Sequence, residues 1–161
     1  MCELLLDRNL LPLRKFPYSI TIYPREYVQI TRPEDLDEYD YIASLTENSI
    51  VDFNKFRITS SDLNWSGINY FLPIAQRNYL NKKNESVIDF FDGFVWLLGY
   101  ENGLSKLVGL MNYDDIFLLR NWLFILLKNK ECEPDYVRFY STEIKEYIKF
   151  LDKYYLNVEN L

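Results

Sequence analysis

The sequence predicts an α+β fold in one domain spanning residues 1–161, and three stretches carry that prediction. Between Ile116 and Leu127 ten of twelve residues are apolar, the densest such run in the chain. The run is long for a strand and its Leu residues outnumber the β-branched ones, so it is a helix. Glu85–Tyr100 carries a second apolar pattern at helical spacing. The N-terminal third instead alternates apolar and polar side chains over short windows, the pattern of strands and hairpins. The expected architecture is a set of N-terminal strands packed with a mainly helical C-terminal part around a central apolar helix, about residues 113–130.

The elements follow in order. Residues 1–16 hold the apolar groups Leu4–Leu6 and Leu10–Leu13, which can dock on a core, and Pro12 ends any regular element there. Tyr18–Tyr23 sets Tyr18, Ile20 and Ile22 against Ser19, Thr21 and Tyr23, predicting a strand with one buried face. Past Pro24 and Arg25, Glu26–Ile30 reads as a second strand. Thr31 caps and Pro33 opens a helix to about Leu45. That helix holds Glu34, Asp35, Asp37, Glu38 and Asp40 with no base among them, and Glu34, Asp37, Glu38 and Tyr41 share one face. Acids in a first helical turn are favoured by the helix dipole. Ile50–Phe53 and Phe56–Thr59 alternate with a phase break at Asn54 and Lys55, predicting a hairpin with a two-residue turn. Ser60–Leu80 is helical, with a kink or fresh start near Leu72 imposed by Pro73. Asn81–Glu85 is a polar connection.

In the helix Glu85–Tyr100, capped by Asn84, the exposed stripe runs Glu85, Asp89, Asp92, Trp96, Tyr100. Gly99 and Gly103 end it, and Leu104–Met111 leads into the central helix. There Asn112 supplies the cap, Asp114 and Asp115 the first turn, and Lys128 and Lys130 the C-terminal end. At about 100° per residue, Asp114, Asn121 and Lys128 fall on one narrow stripe and most of the remaining surface is apolar. A helix of that kind needs neighbours on several sides. Arg120, at the border of the apolar arc, requires a carboxylate from another element, with Asp89 and Asp92 the leading candidates. Beyond Pro134, Tyr136–Tyr140 reads as a strand. Glu143–Leu156 reads as a last helix that buries Ile144, Ile148, Leu151 and Tyr155 and lets Glu146 pair with Lys149.

Composition narrows the function. Acids outnumber bases 24 to 18 for a net charge of −6, which argues against a nucleic-acid binder and favours a basic partner or simple solubility. No stretch approaches the apolar length of a membrane span. Cys2 and Cys132 stand far apart outside any C-x-x-C pattern, so the expectation is a cytoplasmic protein whose fold needs neither a disulfide nor a metal.

The absence of His removes the commonest general base, the Ser-His-Asp triad and most transition-metal sites. Glu131 and Glu133 flank Cys132, and neighbouring carboxylates make a thiol a poorer nucleophile. The glycines at 99, 103 and 109 match neither a dinucleotide fingerprint nor a phosphate-binding loop. The acids from Asp35 to Asp40 lack the alternation and Gly of a calcium loop. No catalytic residue, cofactor or metal ligand is therefore assigned.

What remains is a contact surface. Glu34, Asp37, Glu38 and Tyr41 on one helix, and Asp89, Asp92, Trp96 and Tyr100 on another, mix carboxylates with large amphipathic aromatics. Such mixtures suit a protein partner rich in Lys and Arg, because aromatics supply buried area while acids steer and orient. In size, charge and lack of catalytic apparatus the chain is similar to bacterial immunity proteins that block nuclease toxins. That similarity is one of type, carried by no motif, and it implies a small acidic inhibitor that neutralises a basic, toxin-like protein. Two alternatives stand beside it. One is a carboxylate-dependent enzyme, with Asp89 and Asp92 or Asp114 and Asp115 as an acid–base pair or Mg²⁺ ligands. The other is a phage-type inhibitor that mimics nucleic-acid charge, although Lys82, Lys83 and the mixed charges of Glu143–Lys153 interrupt its rows of acids.

Overall fold

The computed structural model describes residues 1–53, 57–81 and 85–158, with side chains of the final helix described as far as Tyr154. It corrects the expected α+β class: the described residues are mainly helical and contain no sheet. The helices are α1 (Cys2–Asp7), α2 (Arg25–Thr31), α3 (Leu36–Ser44), α4 (Trp65–Asn81), α5 (Glu85–Leu98), α6 (Gly103–Val108), α7 (Tyr113–Lys128), α8 (Asp135–Phe139) and α9 (Ser141–Val158). The chain divides into two compact units, one formed by Leu13–Phe94 and the other by Met1–Pro12 together with Val95–Leu161. The division falls inside α5.

In the Leu13–Phe94 unit the expected strands give way for identifiable reasons. Residues 18–23 form no strand: the backbone bends at Tyr18, Ile22 and Tyr23, and its ladder pairing is with the short segment 62–64. Thr21 and Leu63 form one antiparallel bridge, flanked by Ile22 N–H donating to Asp62 O at 3.0 Å and Asn64 N–H donating to Ile20 O at 3.1 Å. With no longer partner the ladder stops there, and of the predicted buried face only Ile20 is buried while Tyr18 and Ile22 are exposed. Gly67 belongs to this contact, since a Cβ would lie 2.5 Å from Ile20 O. The second predicted strand is α2. Tyr23, just before its N-cap Pro24, stacks on Tyr27 in its first turn at 4.7 Å. Of the predicted hairpin, Asn54–Phe56 lies outside the described residues; the flanking Phe53 and Ile58 are buried in irregular backbone.

The helical predictions in this unit fare better. A 3-10 turn Pro33–Asp35 leads into α3, and α2 packs against both. Asn64 caps α4, its Oδ1 accepting from Gly67 N–H at 2.8 Å. Pro73 neither breaks α4 nor restarts it, and Arg77 donates to the Pro73 carbonyl one turn on at 2.8 Å. The polar connection expected after Asn81 and its cap residue Asn84 include Lys82–Asn84, outside the described residues. Phe90 sits edge-on to Phe53 at 5.6 Å, and Phe91 edge-on to Tyr79 at 5.7 Å.

The other unit is organised around α7, as its apolar circumference requires. α7 touches α1, α8 and α9. Asn112 and Asp115 form a reciprocal capping box: Asp115 N–H donates to Asn112 Oδ1 at 2.9 Å and Asn112 N–H to Asp115 Oδ2 at 3.3 Å. Asp114, Asn121 and Lys128 lie on the wetter side, joined by Phe117 and Phe124, which stay partly exposed. Arg120 finds its carboxylate on α9 rather than α5: its Nε donates to Asp152 Oδ1 at 2.8 Å, and its guanidinium lies 4.8 Å from the Phe124 ring centre.

The predicted strand Tyr136–Tyr140 is α8. A strand would bury alternate residues, whereas here the adjacent Tyr136 and Val137 are buried and Arg138 and Phe139 are exposed. α9 buries Ile144, Ile148 and Leu151 as expected, and Lys149 pairs with Glu146 at 2.7 Å; the Tyr155 side chain lies outside the described residues. Between α5 and α6 the left-handed conformation falls on Glu101 (φ 48°) and Asn102 (φ 61°), not on the glycines expected to end the helix.

Two sulfurs that stand isolated in the sequence meet in this unit. Cys2 on α1 and Cys132 before α8 are bonded, with their Cα atoms 6.1 Å apart, and both are buried. Such a bond persists in oxidising compartments and is opened in a reducing one. The cytoplasmic expectation therefore no longer follows from the cysteines. No helix among the described residues is long and apolar enough to cross a membrane.

Candidate functional site

The expected contact residues lie in the two units and are taken separately. On the Leu13–Phe94 unit, local charge is more balanced than the sequence of α3 implies, because α2 and the residue after it bring bases to it. Arg25 holds Asp40 through two bonds of 2.7 and 2.8 Å, an exposed pair that keeps the Asp40 carboxyl below its ordinary value. Arg32 reaches Asp35 at 3.6 Å and is bonded to the fully buried Asp62.

The predicted face of α3 then splits. Glu38 accepts from Thr59 Oγ1 at 2.9 Å, and the Tyr41 hydroxyl accepts from Asp52 N–H at 3.1 Å, so these two fasten the chain to itself. Glu34 and Asp37 point outward. On the part of α5 in the same unit, Asp89 is paired with Arg57 at 3.4 Å. Asp92 is exposed at one edge, yet partial burial and then the Asp89 charge push its carboxyl above the ordinary value.

On the other unit, Trp96 in the last turn of α5 and Tyr100 just beyond its end are both exposed. They stack with ring centres 5.0 Å apart and planes 17° from parallel, and folding leaves them 49% and 51% exposed. Spacing of i, i+4 across the helix end sets the stack. Beside it lies a cleft of about 220 Å³ lined by Trp96, Gly99, Tyr100, Tyr140, Glu143 and Tyr147. Tyr147 forms its inner side: the residue is buried and its hydroxyl donates to Val95 O at 3.0 Å. Gly99 permits this approach, since a Cβ there would meet the Tyr147 hydroxyl at 2.6 Å. Glu143, in the first turn of α9, is exposed and forms no ion pair with a Lys or Arg among the described residues.

Trp96 and Tyr100 stand out in the sequence; Tyr140, Glu143 and Tyr147 were missed there. The signal was present, because residues 140, 143 and 147 recur at i, i+3, i+7 and so share one face of α9 and its lead-in. Only the fold places that face beside the end of α5. A second cleft, of about 260 Å³, lies near Phe124, Leu127 and Ile148, but Lys128, Lys145 and Lys149 outnumber Glu146 on its rim. Of the two, the Trp96 cleft is the one suited to positive charge.

Burial, then Glu143 and Tyr140, push the Tyr147 hydroxyl up from 10.0 to about 12. The folded state therefore favours the neutral phenol. A folded value above the unfolded one adds stability that is present below about pH 10 and lost as pH rises from there toward 12. Tyr147→Phe should cost about 1 kcal/mol at neutral pH by deleting the bond to Val95. Its deficit relative to the parent chain should shrink above about pH 10. Urea midpoints at neutral and alkaline pH read both effects, and a deficit that grows with pH would contradict the assignment.

No group of three or more Cys, Asp or Glu among the described residues could hold a metal ion. Comparison of the chain with family models, with curated proteins and with solved structures finds no match.

Proposed function

We propose that this protein binds and neutralises a basic protein partner without catalysis of its own, in the manner of bacterial immunity proteins that block nuclease-type toxins. One observation carries the reading: the half-exposed Trp96–Tyr100 stack beside the Glu143 carboxylate. Large aromatics left wet by folding are the residues that dominate binding energy when a partner covers them. An adjacent acid directs them toward cations, and the net charge of −6 supplies long-range attraction of the same sign. On the Leu13–Phe94 unit, Glu34 and Asp37 add outward acids that can steer approach.

The enzyme reading is favoured by Asp92, whose carboxyl partial burial and then the Asp89 charge push above its ordinary value, the direction a proton donor needs. It is weakened by Asp89, which is engaged with Arg57 at 3.4 Å. The charge-mimic reading is weakened by the arginines that partner Asp35, Asp40, Asp62, Asp89 and Asp152, because they interrupt any phosphate-like row of acids.

The test is a binding titration against candidate basic proteins, beginning with the product of the adjacent gene. Association should slow steeply with added salt, and Glu34→Lys with Asp37→Lys should slow it further. Trp96→Ala should instead speed dissociation and cost about 2 kcal/mol or more. Binding indifferent to salt and to all three changes would refute the proposal. Turnover by the free chain in the presence of Mg²⁺, abolished by Asp92→Asn, would replace it with the enzyme reading.

A further inference from the structure

Resting on the reading of a basic partner, we propose that the Trp96 cleft is a guanidinium site that takes one arginine side chain of that partner. Every feature of its lining selects for a cation. Four of the six residues are aromatic, and ring faces attract positive charge through their quadrupoles. The single ionisable group of opposite sign is Glu143, and no Lys or Arg lines the cleft. The Tyr147 hydroxyl, which could have served an anion as a donor, is already committed to Val95 O.

Size selects further. Cofactor and drug-sized ligands occupy about 300–1,000 Å³. A cleft of about 220 Å³ suits the end of one side chain. Between the two cationic side chains, planarity favours arginine. A guanidinium is weakly hydrated, lies flat on a Trp or Tyr face and forks onto a carboxylate, whereas a compact ammonium gives up more hydration for a single point contact. The near-parallel Trp96–Tyr100 slab with Glu143 beside it offers both a stacking face and a fork acceptor.

The probe is arginine blocked at both ends, titrated into the isotopically labelled full chain while the Trp96 indole N–H resonance is followed. Blocked citrulline, which keeps the shape and loses the charge, blocked lysine and tetramethylammonium serve as comparators. Arginine should shift the resonance saturably, lysine and tetramethylammonium more weakly, and citrulline not at all. Glu143→Gln should weaken arginine binding about tenfold, the loss of one charge-assisted contact, and Tyr100→Leu should weaken it as well. Unchanged thermal melts of both exposed-site variants establish that folding is not the cause.

Equal shifts from citrulline, preference for tetramethylammonium, or no shift from any probe would each overturn the guanidinium site. If the arginine probe fails while a basic protein still binds with the expected salt dependence, the cleft is wrong and the partner reading stands. If arginine binds but no basic protein does, the cleft stands as a guanidinium site and the partner reading falls.

Discussion

Arg32→Ala is expected to destabilise this protein by about 3–5 kcal/mol, more than any other single surface-reaching substitution, because it strands a buried charge. Asp62 is fully buried in the 3-10 turn Ser60–Asp62, and its Oδ1 is bonded to the Arg32 guanidinium. The same turn receives the segment 19–22 through Asp62 O and the Asn64 side chain, which donates to Ser19 O at 3.0 Å. Loss of Arg32 therefore acts on backbone as well as charge. The guanidinium also lies 5.9 Å from the Tyr23 ring centre, a weaker cation–π attraction that the alanine cannot supply. The reverse change is predicted to be milder. Asp62→Asn leaves an Arg32 that is partly exposed and still within 3.6 Å of Asp35, so its charge keeps water and a partner. Replacing both, as Arg32→Met with Asp62→Leu, should recover most of the stability, since a well-packed apolar pair often matches a buried ion pair. Denaturant unfolding of the three variants measures the ordering. An Asp62→Asn as damaging as Arg32→Ala would show that the carboxylate serves some purpose other than pairing.

This pair also marks where legibility in the sequence ends. α5, α7 and α9 are readable because each carries several turns of apolar periodicity, and α7 also its Asn112 cap. The helix expected from Pro33 with Thr31 as its cap is instead split, since Thr31 ends α2, Pro33–Asp35 is a 3-10 turn and no side chain caps α3. α2 and α8 read as strands because windows of seven and five residues fit a period of 2 as well as one of 3.6. What decides between them is whether a second strand exists to accept the backbone bonds, and that is a tertiary fact. Residues 18–23 make the point, as among the described residues they form one bridge, Thr21 with Leu63, and no ladder. The site shows the same limit. The exposed stripe Glu85, Asp89, Asp92, Trp96, Tyr100 follows from one helix's periodicity and is exposed throughout. By contrast, the fates of Glu38, Tyr41 and Asp40 depend on Thr59, Asp52 and Arg25, residues 11 to 21 positions away that no wheel diagram brings near.

A loss of comparable size is expected from opening the Cys2–Cys132 bond. It closes a loop with a sequence separation of 130, and in the chain-entropy account a loop near that length contributes about 4–5 kcal/mol by restricting the unfolded state. Native-state relaxation usually trims such values, so reduction should cost about 2–5 kcal/mol. The structural reason for the bond lies in α1. A helix of six residues is too short to persist alone, and only Cys2 and Leu6 of α1 are buried. Without the sulfur link, Leu6 is the one buried side chain of that helix left to hold it. Thiol titration of the unfolded chain should therefore find no free thiol before reduction and two after it. Reductant and the double variant Cys2→Ala with Cys132→Ala should lower the melting temperature by similar amounts. Reductant should do nothing further to the double variant. Amide exchange should speed up first in α1. A reduced chain that melts where the oxidised one does would return the pair to the status of two packed thiols and restore the expectation of a reducing compartment. A loss of several kcal/mol would instead tie the folded state, and any partner it binds, to an oxidising one.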